Sequence, residues 1–120
     1  MSAARRLPPY GRELVAARRA GVVPNVHLMV GPRAWARAAL RHPPNVLALP
    51  PGDSPADFDW RCCAGLGVTV QAAEEADPER LALLIHYLLQ AGTVLVAAIY
   101  CDGPLVRLEY FRPEVRRHAA

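Results

Sequence analysis

The sequence predicts an α/β domain, and three observations carry that prediction. Apolar runs of strand length, at residues 26–30, 45–50, 65–72 and 93–100, alternate with segments whose apolar residues recur at helical spacing. Glycine or proline stands at the boundaries of these segments, where it stops one element and starts the next. The last apolar stretch, LVRLEYF (105–111), alternates apolar and polar residues, which suits an antiparallel edge strand with one solvated face. Strands alternating with helices call for right-handed crossovers onto a parallel sheet. The expected architecture is therefore a small three-layer sandwich of flavodoxin-like or Rossmann-like type, with a mainly parallel four- to five-stranded sheet.

Each element has its own signal. After Pro8, the run PPYGRELVAARRAG supplies Leu14 and Val15 for a short apolar face, and Gly21 closes this first helix. In VPNVHLMVG, Val26–Val30 is expected to be a strand buried on both faces, with His27 read as a satisfied core or strand-end group rather than a ligand. In GPRAWARAALRHPP, Gly31 can cap a helix and Pro32 can occupy its first turn. Trp35, Ala36, Ala39 and Leu40 gather on one side of that helix, while Arg33, Arg37 and Arg41 line another. Pro43 and Pro44 end it, and the second strand comes next.

The connection PGDSPADFDWRCCAG is long, yet Ser54, Pro55 and Asp57 offer a hydroxyl cap, a first-turn proline and an acidic third residue, enough for one helical turn or two. Beyond the third strand, Asp77 caps a longer helix, Pro78 begins it, and Gly92 follows its last turn. Its buried stripe is predicted as Leu81, Leu84, Ile85, Leu88 and Leu89, widened by Leu83 and Tyr87.

At 120 residues the chain supports one hydrophobic core, hence a single domain over 1–120, with about residues 1–8 and 114–120 as flexible ends. An apolar fraction of 52% argues against disorder, and only 21% charged residues leave little polar surface, which gives room for a partner or for self-association as a homodimer. No apolar run approaches the roughly 20 residues that span a bilayer, and the start lacks a signal peptide's apolar core, so no membrane contact and a cytoplasmic location are expected. Cys62 and Cys63 are adjacent, without a CxxC spacing. They are read as buried thiols, whose ionisation the acidic surroundings should oppose. All fourteen basic residues are arginine; the missing lysine excludes Walker-type phosphate loops, Schiff-base chemistry and receiver-type phosphorylation sites. Ser54, the best placed of few hydroxyls, is explained as a cap. With no acid–base pair and no metal spacing, a non-enzymatic protein with no cofactor and no metal is expected.

Charge is divided along the chain. Residues 1–42 hold eight arginines against Glu13 alone, and residues 43–106 hold eight carboxylates against Arg61 and Arg80. Arg12, Arg18 and Arg19 on the first helix, with Arg33, Arg37 and Arg41 on the second, form the predicted partner-binding surface. Planar guanidiniums fit phosphates or an acidic protein surface. Interleaved aromatics for base stacking are missing, so a protein or a protein–nucleic-acid complex ranks above nucleic acid alone. The alternative is a small nucleotide- or phosphate-metabolite-binding domain or enzyme whose ligand rim, beyond the strand ends, holds Gly31, Arg33 and Asp53.

The segments LPPYGRELVAARRAG, PNVHLMVGPRAWARA and VLALPPGDSPADFDWRCCAG carry a resemblance over residues 7–72. They look like small, functionally unassigned proteins of bacterial prophages and integrative conjugative elements, which share an LPP-aromatic-G opening, an A-W helix and an LPP-x-D-x-P-A turn. The resemblance implies a mobile-element setting, and with it proteins that act by binding, as anti-restriction and anti-CRISPR proteins do. It transfers no catalytic residue.

Overall fold

Five strands make one sheet in this computed structural model, which describes residues 5–21, 25–31, 45–72, 77–102 and 105–113. They are β1 (Asn25–Val30), β2 (Val46–Leu49), β3 (Gly67–Ala72), β4 (Leu95–Asp102) and β5 (Leu105–Phe111), in the order β2-β1-β3-β4-β5. The first four run parallel, and β5 pairs antiparallel to β4 with Leu108 opposite Ile99. This is the flavodoxin-type order, in which the chain winds outward in both directions from β1. The protein is α/β, in keeping with the small three-layer sandwich that the sequence predicts, down to the antiparallel edge strand.

Two helices are described, α1 (Gly11–Arg19) and α2 (Pro78–Gln90). The helix expected after Gly31, with Arg33, Arg37, Arg41 and Trp35, lies outside the described residues. α1 follows the tight turn in which the Gly11 amide donates to Pro8 O at 2.8 Å, and Tyr10 takes a left-handed φ of 66° at the N-cap. α2 starts where Asp77 Oδ1 accepts the Glu79 amide at 3.0 Å and Pro78 needs no amide partner. Ala91 caps its end, and Gly92 follows with a φ of +93°, one that L side chains rarely adopt.

Both helices and the β2–β3 connection pack on one face of the sheet. Leu14 of α1 and Leu81, Leu84, Ile85 and Leu88 of α2 meet Val26, Leu28 and Val30 of β1 and their neighbours on β2, β3 and β4. The rim of the predicted α2 stripe is wetter than expected, with Leu89 half-buried and Leu83 39% exposed, because these positions turn away from the sheet. On the opposite face a smaller cluster joins Met29, Val46 and Ala48. There β1 departs from the two-sided burial expected over Val26–Val30: His27, like Asn25 before that run, is exposed, so it is a surface residue rather than a core one.

The β2–β3 connection is a strap of two short 3₁₀ turns, Pro55–Asp57 and Trp60–Cys63. Ser54 and Asp57 close a capping box on the first, as the sequence predicts. Trp60 is buried, donates from Nε1 to Pro55 O at 2.8 Å, and meets Phe58 edge-on at 5.9 Å. Arg6 is tied to this strap: it bridges Phe58, its carbonyl accepts the Asp59 amide at 2.8 Å, and its guanidinium lies 5.2 Å from the Phe58 ring centre. Among the described residues no helix is long and apolar enough to cross a membrane.

Candidate functional site

In this strand order the connections leaving β1 and β3 depart to opposite sides, which opens a crevice beyond the carboxyl ends of the strands. A cleft of about 560 Å³ lies there. Gly31 just after β1, residues 51–55 after β2, and Asp77 at the α2 N-cap with Glu79, Arg80 and Leu83 of α2 line it. Gly31 and Asp53 of the predicted ligand rim are thus brought together; Arg33, the third member, lies outside the described residues.

The described lining is acidic. Asp53, Asp77 and Glu79 stand against one cation, Arg80, and that cation is already engaged. Arg80 Nε donates to Asp53 O at 2.9 Å, and Nη2 donates to the carbonyls of both Pro50 and Asp53, so the guanidinium clamps the β2 exit loop onto α2. Ser54 Oγ accepts the Ala56 amide and Asp77 accepts that of Glu79, which assigns both side chains to capping. The described lining therefore suits a neutral or cationic ligand better than a phosphate. Among the described residues, no group of three or more His, Cys, Asp or Glu side chains is placed to hold a metal ion.

The arginines of α1 divide into two kinds. Arg12 and Arg19 are exposed and, seven residues apart, share one stripe of the helix. Arg18 is half-buried and turned inward, donating through Nη1 to Cys62 O and through Nη2 to Ala64 O, each at 2.7 Å. Of the three predicted contact residues on this helix, Arg18 is thus a clasp between α1 and the strap. Two further arginines sit over rings, Arg5 at 5.5 Å from Tyr87 and Arg107 at 4.5 Å from Tyr100.

Cys62 and Cys63 are both buried, with Sγ atoms 3.9 Å apart. The two thiols move in opposite directions, not upward together as the acidic local sequence suggests. The shared hydrogen bond, burial and the neighbouring sulfur push Cys63 far up. The same hydrogen bond lowers Cys62 against the opposing effects of burial and of the Asp59 charge. Asp59 itself is held below the usual carboxylate value by Arg61, which donates to it from Nε and Nη2.

Arg80 and Arg18 are the structural residues that sequence reasoning missed. Their acceptors are backbone carbonyls 27 to 46 residues away, and no side-chain pattern marks a carbonyl. No protein-family model matches the chain, and no curated protein or solved structure is significantly similar to it.

Proposed function

We propose that the protein is a non-enzymatic interaction protein that grips an acidic partner through arginines on its helix faces. The observation that carries this reading is the α1 stripe. Arg12 and Arg19 point outward with no ion-pair partner among the described residues, whereas Arg18, Arg61, Arg80 and Arg107 are engaged within the chain. Arg33, Arg37 and Arg41 belong to the same proposed contact set, each guanidinium offering planar, bidentate contacts. The resemblance to element-borne proteins supplies the setting: a mobile element's product acting on a host or element protein, or on a protein–nucleic-acid complex, as an anti-CRISPR inhibitor does.

The experiment is capture from host lysate by the wild type and by two variants, Arg12→Ala/Arg19→Ala and Arg33→Ala/Arg37→Ala/Arg41→Ala, with bound proteins identified by mass spectrometry. The reading expects each variant to stay folded and to lose the partner. Capture unchanged in both variants removes the arginine surface from consideration. Retention of a labelled DNA duplex, with a logarithmic salt slope of roughly −3 to −5, would shift the partner to nucleic acid itself.

A second reading, ligand binding in the strand-end cleft, is favoured by one observation: Gly31 and Asp53 line the same 560 Å³ space. The acidic described lining points that reading away from phosphates unless Arg33 supplies the missing charge.

A further inference from the structure

The open end of the sheet is apolar on one side and self-complementary along its edge. β5 has a single neighbour, β4, so among the described residues its outer row of backbone groups faces no strand. An edge of this kind is a template for another strand. Val106, Leu108 and Tyr110 project from β5 on one face with 69%, 48% and 64% of their surface exposed. Ala97 and Ile99 of β4, directly opposite Tyr110 and Leu108, continue this apolar strip. Arg107 and Glu109 project from the other face, 3.1 Å apart, with Arg107 stacked over Tyr100.

We infer that the occupant of this edge is a second copy of the chain, added antiparallel by β5 across a two-fold axis at Leu108. Leu108 is the central residue of the seven in β5, so this register gives full overlap of the two strands. It sets Arg107 opposite Glu109 of the second copy, and Glu109 opposite Arg107 of the second copy. On the apolar face Val106 meets Tyr110 of the second copy, while Leu108 meets its own counterpart. Aromatic–β-branched and opposite-charge cross-strand pairs are the favourable ones.

Neighbouring registers lack this match. A slip of one residue sets the apolar face of one copy level with the charged face of the other. The symmetric registers centred on Arg107 or Glu109 place like charges face to face. The edge sequence therefore specifies one pairing, isologous as two-fold interfaces are. The result is a continuous ten-stranded sheet with the described helices of both copies on the same side, formed independently of the arginine surface on α1.

Charge exchange tests the register. R107E carries two carboxylates at the facing positions and E109R carries two guanidiniums, so each alone opposes like charges twice. The wild type should show twice the 13.1 kDa chain mass by light scattering. Each single variant should weaken the dimer at least about tenfold and run as a monomer at the same concentration. An equimolar mixture of the two should recover the dimer mass, and the double exchange R107E/E109R should dimerise by itself. A second pair on the open face, L108R and L108E, avoids the Tyr100 contact and should behave alike: monomers alone, a dimer when mixed. A wild type that stays monomeric at high micromolar concentration overturns the inference. So does a dimer that persists in all four single variants, or single variants that turn monomeric without recovery on mixing.

Discussion

Arg18 and Arg12 share a nine-residue helix and have opposite fates. Arg18 reaches two strap carbonyls at 2.7 Å each, and such charge-assisted hydrogen bonds are worth about 1.5–3 kcal/mol when removal leaves the acceptors unsatisfied. Arg12 and Arg19 have no such acceptors among the described residues. Arg18→Met is therefore expected to lower the unfolding free energy by about 2 kcal/mol, with Arg12→Met and Arg19→Met each changing it by less than about 0.5 kcal/mol. Urea denaturation reads this contrast directly. Arg18→Lys should not restore the loss, because one ammonium cannot reproduce a planar fork across two carbonyls. Equal effects at all three positions would mean that Arg18 is not the clasp.

The strap shows what an element without regular helix can contribute. Its two 3₁₀ turns are too short to bury a stripe, so it places single large side chains instead: Phe58 and Trp60 in the core, with the Trp60 N–H satisfied by Pro55 O. Trp60→Ala should cost about 3–5 kcal/mol, a large part of the stability of a domain this size. Trp60→Phe keeps most of the volume and loses the hydrogen bond, for about 1–3 kcal/mol. Thermal unfolding orders the three proteins, and an alanine variant as stable as the wild type would remove the strap from the core. The strap's first turn was legible because Ser54, Pro55 and Asp57 form a capping pattern at fixed spacing, as Asp77, Pro78 and Gly92 do for α2. His27 was not. The exposure of one strand face depends on what covers it, and an apolar run such as VHLMV does not encode its neighbours.

For the whole molecule, the alternation of elements is written in the sequence, but the lateral order of the strands is not, because residue periodicity says which face a side chain takes and nothing of which strand lies beside it. Even so, Gly31 and Asp53 were recognisable as rim residues, since doubly wound folds gather the loops after their strands at one end. The charge of that rim required the structure. Arg80 belongs to the rim, yet its guanidinium is turned onto carbonyls, so Asp53, Asp77 and Glu79 set the field in the described part of the cleft. A thermal-shift series of nucleotides, sugar phosphates and polyamines tests this balance. A ligand at 100 times its dissociation constant stabilises by about 2.7 kcal/mol, on the order of 10 °C for a domain of this size. Nucleotides and sugar phosphates are expected to leave the midpoint within about 1 °C of a matched-salt control, a small fraction of that shift. A rise near 10 °C with any phosphate would instead require a free cation at the rim. Arg33, two residues beyond Gly31, is the nearest candidate in sequence, and Arg33→Ala should then abolish the shift while leaving the unliganded midpoint unchanged.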